Sequence, residues 1–309
     1  MRRVRFYEYG GPEVLRVEEA EVPRPGPGEL LVRNEAIGVT LPMVRKVRDG
    51  GVPLPGVLGG EVAGRVAVVG PGVTGFAVGD RVTALCFTDA YAEQSVVSAA
   101  MASPVPEGAG AVAAVALVRS GLVALGAYAS ARPEPGDSVL VTGAAGGVGH
   151  LAVQLARARG ASRVVAAAGS AAKAGFLRGL GADEVVCYDD ASWGEPVDIV
   201  LDAVGGELLS SAVAALAPGG RLVAYSSGGG TIAAYDLLVG GRSVTGFQMA
   251  RTAAIRPALV EGWRQELWGL LAEGRLTVSV HAELPLTEAA EAHRIIEARA
   301  NLGKVVLVP

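Results

Sequence analysis

The sequence predicts an α/β protein built on a parallel sheet and preceded by a β-rich unit of different character. Three observations carry this reading. Apolar runs alternate with helical patterns from about residue 138 to residue 247, and each run is nearly continuously apolar, as in strands buried on both faces. One run, Val139-Leu-Val-Thr142, leads directly into Gly143-Ala-Ala-Gly-Gly-Val-Gly149 and then a helical pattern over 151–159. The first hundred residues instead hold short β-rich runs separated by Pro and Gly turns, which suggests a compact barrel-like unit.

Taken in order, the early strands fall at 14–17, 29–36, 61–69, 80–84 and 91–97, with turns at 23–28, Gly50-Gly51 and Gly70-Pro-Gly72. Residues 38–50 read as a polar loop. After the glycine turn come a strand at 163–168, a helix from about 172 to 180, and strands at 184–188 and 197–202. A helix at 207–217 and strands at 220–225 and 242–247 complete this part. Helix 255–273, strand 276–280, helix 287–300 and a closing strand at 304–308 follow. That last segment is too small for its own core and is expected to pack on the first unit. The expected domains are therefore 1–118 with 249–309, enclosing 119–248.

Strand, glycine turn and helix in this order bring a helix N-terminus to a pyrophosphate, with unpaired N–H groups and a partial positive charge. Gly146, Gly147, Val148 and Gly149 are the expected cradle, the glycines keeping side chains away from the phosphates. Ligands of such sheets bind at the carboxyl ends of the strands, which adds Val204, Ser226 and Ser227. Sites for NAD usually place an acid about 20 residues beyond the glycines. Here the stretch reads Ala168-Gly-Ser-Ala-Ala-Lys173, with no acid before Asp183. Ser170 and Lys173 suit a 2′-phosphate instead, and Tyr188 adds a hydroxyl or ring edge. NADPH is the expected cofactor.

Composition narrows the function classes. A net charge of −4 with interspersed signs argues against nucleic acid or an anionic membrane as partner. The most apolar run, 108–118, is short and alanine-rich for a membrane span, and the first residues lack the apolar core of a signal peptide. Cys86 and Cys187 lie in separate units, so no disulfide framework is expected and a cytoplasmic location fits.

Several motifs together carry a resemblance: Gly10-Gly-Pro-Glu-Val-Leu15, Gly79-Asp-Arg-Val82, Gly143-Ala-Ala-Gly-Gly-Val-Gly149, Leu180-Gly-Ala-Asp183, Asp202-Ala-Val-Gly-Gly206 and Gly303-Lys-Val-Val-Leu307. Across nearly its whole length the chain resembles the medium-chain dehydrogenase/reductases, in particular the zinc-independent quinone oxidoreductase (zeta-crystallin-like) branch. The resemblance implies a Rossmann domain, a doubly wound parallel sheet, inserted in a GroES-like β-barrel catalytic domain. It implies hydride transfer from NADPH to a quinone or small α,β-unsaturated carbonyl compound. It also implies a homodimer joined near Arg242 and Phe247 at the sheet edge. Phe247 and Lys304 join the cofactor-binding set.

Zinc-dependent relatives carry a Gly-His-Glu stretch, which here reads Gly59-Gly60-Glu61. His150, His281 and His293 are scattered, so no zinc set can be assembled. His150, just after the glycines, reads either as a ligand contact or as a surface residue at a helix start. The catalytic stretch departs from the family pattern. Thr40 stands where relatives commonly have Asn, Lys46 aligns with their Tyr, and Val123 replaces a Thr. Thr40 offers a hydroxyl, and Lys46 offers an ammonium able to polarise a carbonyl or protonate an enolate. Lys46 reads equally as a solvated residue beside Arg45 and Arg48, a basic cluster that suits an acidic substrate. Arg119 either contributes to such recognition or forms an interface salt bridge. Tyr91 and Glu61 read as structural. Two alternatives stay open, an enoyl-thioester or biosynthetic enone reductase and a weakly catalytic NADPH-binding sensor.

Overall fold

The computed structural model describes residues 1–225 and 228–309. Its contacts divide the chain into two compact units, Met1–Arg119 with Val278–Pro309, and Ser120–Thr277.

The chain opens with β1 (Arg2–Arg5) and β2 (Arg16–Glu19), an antiparallel pair, and continues into the long strand β3 (Glu29–Val39). Helix α1 (Leu41–Asp49) and strands β4 (Gly60–Val69), β5 (Arg81–Cys86), β6 (Gln94–Ser98) and β7 (Ala102–Pro104) follow. Helix α2 (Ala111–Ser130) carries the boundary between the units. The second unit holds β8 (Ser138–Val141), α3 (Gly149–Ala158), β9 (Arg163–Ala168), α4 (Ala174–Gly179), β10 (Glu184–Cys187), β11 (Val197–Asp202) and α5 (Leu208–Ala214). It continues through β12 (Leu216–Ala224), α6 (Ala234–Gly240), β13 (Ser243–Gly246), α7 (Met249–Ile255) and α8 (Pro257–Ala272). Then β14 (Val280–Pro285), α9 (Ala289–Glu297) and β15 (Lys304–Val308) complete the first unit.

In the second unit the described strands form one parallel sheet in the order β10-β9-β8-β11-β12-β13. The order reverses beside β8, the switch point at which such sheets bind nucleotides. β8 and β11 are buried almost throughout, as their unbroken apolar character requires. In the first unit the order is β14-β15-β3-β4-β5-β7, with β6 also on β3. Phe6, Leu30, Ile37, Val62, Tyr91 and Val305 share its core. The last strand of the chain, β15, returns to pair with β3.

The architecture meets the expected class, and the boundaries differ in instructive places. Residues 41–49, read as a loop, form α1. Pro lies in its first turn, Val44 and Val47 are buried three residues apart, and Gly50 (φ +87°) ends it; its two apolar contacts are too few for the sequence to reveal the period. The helix expected at 255–273 is α8, and an unexpected helix, α7, precedes it. Pro257 disfavours helical geometry at Arg256, which has φ −138° and ψ +58°. The helix expected to run to 217 stops at Ala214, because Leu216 pairs with Val197 to open β12 before Pro218. The strand expected at 276–280 lies at Val280–Pro285 instead.

The return to the first unit comes at Val278 rather than 249. Gln154 on α3 donates to the Thr277 carbonyl (2.9 Å) and accepts from the Thr277 N–H (2.8 Å). α8 packs Leu267 against Gly121 and Trp263 edge-on to Phe247. The apolar run 108–118 belongs to α2, a helix long and apolar enough by length and composition to cross a membrane, and mostly buried inside the protein.

Because Leu267 is fully buried, Leu267→Ala should cost about 2–5 kcal/mol. Hydrogen exchange should then show lost protection across Ser120–Thr277. Loss confined to the first unit would mean that α8 belongs there.

Candidate active site

The glycine turn is built by exclusion. Gly143 sits at φ +61°, a region open to glycine and costly for most residues. A Cβ on Gly149 would lie 2.2 Å from the Gly143 carbonyl oxygen and 2.7 Å from Ala144 Cα. The turn and the first turn of α3 are therefore in backbone contact, and α3 begins with no side-chain cap at Val148. The N–H groups of His150, Leu151 and Ala152 already donate to the Gly146 and Val148 carbonyls, whereas those of Gly147, Val148 and Gly149 make no hydrogen bond among the described residues and can donate to an external oxygen anion. His150 is neither a surface residue nor an open ligand contact. It is fully buried, its Nδ1 lies 3.0 Å from the Gly146 carbonyl, and burial pushes its pKa down to about 4. At neutral pH it presents no charge to a phosphate.

At the end of β9, Ser170 Oγ accepts from the Ala172 N–H (3.2 Å) and so caps the short turn Ala171–Lys173. That turn delivers Lys173, half-buried, whose pKa is lowered by desolvation. No carboxylate stands in this stretch. Tyr188 crosses above it: a Cβ on Gly169 would meet the Tyr188 ring at 3.6 Å, and the Tyr188 hydroxyl accepts from the Gly143 N–H at 2.8 Å. The phenol thus ties the end of β10 to the glycine turn.

Asp202, last residue of β11, is a site residue that the sequence reading missed. It is buried, accepts from Thr142 Oγ1 (2.7 Å), and accepts from the N–H groups of Val204 (3.1 Å) and Gly205 (3.0 Å). The carboxylate fixes the loop holding Val204. Its signal was an acid at the end of a strand that is apolar apart from Asp198. Ser226 and Ser227 lie outside the described residues. At the carboxyl ends of β12 and β13 a cavity of about 700 Å³ is lined by Tyr225, Phe247, Gln248, Arg251 and Thr252, among others. The Phe247 N–H donates to the Ala224 carbonyl (2.9 Å), and its ring passes over Gly126, where a Cβ would lie 2.1 Å away.

In the first unit, Thr40 is the N-cap residue of α1, yet its side chain makes no capping bond. The hydroxyl is left available, although Thr normally spends it on the helix. Lys46, half-buried on α1, makes no ion pair among the described residues, while Arg48 pairs with Glu297 at 2.8 Å. Lys304, expected at the cofactor, is buried and ion-paired with Glu61, and burial lowers its pKa. Gly38 makes that pair possible. It lies between Glu61 and Val306 in register, and a Cβ there would meet Glu61 Cγ at 2.4 Å. Tyr91 and His293 form a second buried pair, with hydroxyl and Nε2 3.2 Å apart.

Two family models match the chain, an alcohol dehydrogenase GroES-like domain over residues 26–132 and a zinc-binding dehydrogenase domain over 180–307. A probable quinone oxidoreductase of Schizosaccharomyces pombe is 35% identical, covering 99% of this chain and 96% of its own. A 2-haloacrylate reductase of Burkholderia is 33% identical over 98% of both. The structure of Escherichia coli quinone oxidoreductase complexed with NADPH matches 100% of both chains with a TM-score of 0.91 and 31% identity. The chain belongs to the medium-chain dehydrogenase/reductases, in their zinc-independent quinone oxidoreductase branch.

Among the described residues, the donors present do not fit the zinc named in the matching domain's description. Gly60 stands in the Gly-Gly-Glu stretch, and burial pushes the Cys86 thiol up to about 12 while it donates to the Thr88 carbonyl. Cys187, Asp189 and Asp190 bring ligand atoms within 4.8 Å of one another. There Asp190 already accepts the Cys187 N–H, and the Cys187 thiol is raised by desolvation and the two acids, so the group reads as a closed turn.

Two outcomes follow from this geometry. Gly149→Ala should weaken dinucleotide binding ~100-fold, about 2.7 kcal/mol, by forcing α3 off the turn; a fluorescence titration with NADPH measures it, and unchanged affinity would mean the turn tolerates a side chain. His150 and His293 both have pKa values near 4 in the fold, pushed down by burial from 6.5. The unfolded chain binds more protons between those values, so stability is full above pH 6.5 and is lost as pH falls toward 4. Tm measured across that range should drop, and His293→Gln should flatten the curve.

Proposed function

We propose that this protein is an NADPH-dependent reductase of quinones or small conjugated carbonyl compounds. The observation that carries the reading is full-length likeness to quinone oxidoreductases combined with a glycine turn whose second-strand partner offers Ser170 and Lys173 in place of an acid. The 2-haloacrylate reductase among the relatives supports an activated alkene as an acceptor of the same class.

The residues fit NADPH. Gly149 leaves the start of α3 open for pyrophosphate, with Gly146, Gly147 and Val148 beside it. Lys173, already partly desolvated, favours a phosphate dianion over a ribose hydroxyl. Val204 and Phe247 sit at the carboxyl ends of the strands beyond the switch point. When bound, NADPH supplies a hydride to the acceptor. The protein's own contribution is to orient the two reactants and to manage oxygen charge and a proton. Thr40 and Lys46 are assigned that role, the hydroxyl donating to the carbonyl oxygen and the ammonium returning the proton.

A homodimer completes the reading. β13 is the last strand in the sheet order, and α6 just before it exposes Tyr235, Leu238 and Val239. An open edge beside an apolar helix face supports pairing with a second copy. The composition fits a cytoplasmic location.

The test follows NADPH absorbance with 1,4-benzoquinone, simple enones and crotonyl-coenzyme A side by side. Turnover with the first two is the expected result. Activity confined to the thioester would move the assignment to an enoyl-thioester reductase, and tight NADPH binding without turnover would leave a non-catalytic binder. Lys173→Ala should raise the KM for NADPH about tenfold or more while leaving NADH unaffected; equal effects on both would remove the 2′-phosphate role.

A further inference from the structure

The loop that follows β11 has spent its donors. The Ala203 N–H donates to Thr142 Oγ1 at 2.9 Å, the Val204 N–H to Asp202 Oδ1 at 3.1 Å, and the Gly205 N–H to Asp202 Oδ2 at 3.0 Å. The next N–H, of Gly206, donates to the Gly229 carbonyl at 2.9 Å. Thr142 itself donates to Asp202 Oδ1 at 2.7 Å. One hydroxyl and one carboxylate, the latter 1 % exposed, thus take three successive N–H groups of the loop. A carboxylate only accepts, so the direction of every bond at Asp202 is fixed.

Backbone contact seats the loop against its neighbours. A Cβ on Gly143 would lie 3.2 Å from Ala203 Cβ and 3.5 Å from Val204 Cγ2. A Cβ on Gly228 would lie 1.7 Å from the Val204 carbonyl oxygen. The segments that leave β8, β11 and β12 therefore meet where another side chain has no room, and the place of Val204 follows from that of Asp202.

The sheet order decides which part of a dinucleotide this loop meets. β9 and β10 lie on one side of β8, and β11, β12 and β13 lie on the other. Ser170 and Lys173, after β9, suit the 2′-phosphate and so take the adenosine half. Gly147, Val148 and Gly149 keep free N–H groups for the pyrophosphate. The remaining half, the nicotinamide and its ribose, falls on the side of β11. Residues 203–206 have no N–H left to give it. The carbonyls of Ala203 and Gly205 accept no hydrogen bond among the described residues, so the loop can offer a ligand acceptors, which suit hydroxyl groups and not a phosphate.

We propose that Asp202 is a positioning residue for the hydride-donating half of NADPH. Its carboxylate, with Thr142, holds residues 203–206 in the one arrangement against which the nicotinamide nucleoside is placed, and it has no part in holding the adenosine half. This rests on the NADPH reading of the glycine turn.

The experiment separates the two halves of the cofactor. Wild type, Asp202→Asn, Thr142→Val and Thr142→Ser are titrated with NADPH and with 2′,5′-ADP, which carries the adenosine half alone. Asp202→Asn and Thr142→Val should weaken NADPH about tenfold or more and leave 2′,5′-ADP within about twofold of wild type. Thr142→Ser, which keeps the hydroxyl, should retain both affinities. Binding of 2′,5′-ADP shows at the same time that each variant is folded, and the Thr142 pair decides the matter if Asp202→Asn does not fold. Equal losses with both ligands, an unchanged NADPH affinity, or a loss in Thr142→Ser as large as in Thr142→Val would overturn the proposal. A wild type that binds neither ligand would overturn the NADPH reading and this role together. One that binds both but reduces no acceptor would sink only the reductase reading, and the affinities would still decide the role of Asp202.

Discussion

The second unit depends on the contact between Gly149 and the Gly143 carbonyl, where there is no room for a side chain. Strand β8 can hand over to α3 within a few residues only because both ends of the turn are bare. The neighbouring strands then attach to that turn. Tyr188 reaches across from β10 to the Gly143 N–H, and Thr142, just before the turn, donates to Asp202 at the end of β11. Three strand ends are thereby locked to one loop by polar contacts in a largely apolar setting, where such bonds specify geometry. A nucleotide meets a surface already ordered, and little entropy remains to be lost on binding.

The first unit uses the same device for charge. Gly38 gives up its side chain so that Glu61 can cross β3 and reach Lys304 on the other side. The chain has only three lysines among 27 basic residues. Lys304 is buried against Glu61, Lys173 is partly desolvated at the end of β9, and Lys46 stands on α1 without an ion pair among the described residues. Arginine serves the ordinary surface pairs, which contribute little to stability.

The fold was legible where burial is two-sided. β8 and β9 announce themselves as nearly continuous apolar runs, and the glycine turn can be read because strand and helix flank it. Boundaries failed where tertiary pairing overrides local pattern: Leu216 joins a strand because Val197 is there to receive it, and Leu276 is a buried anchor rather than part of β14. α1 stayed hidden because only Val44 and Val47 face inward. Ser170, Lys173 and Tyr188 were put forward as candidates by their position relative to strand ends. Asp202 was passed over because an acid at a strand end looks like a solvated terminus until its four hydrogen bonds are seen. The partners of Lys304 and His150 were invisible because they come from distant or backbone groups that no spacing reveals.

The buried ionisable groups follow two physical solutions. His150 and His293 give up their charge, their pKa values pushed far enough down that they act as neutral polar side chains. Lys304 and Asp202 keep polar partners, a carboxylate in one case and N–H and O–H donors in the other. Each route removes an uncompensated charge from the low-dielectric interior, by giving up the proton or by supplying the partner, and which route a group takes is set by what the fold brings beside it.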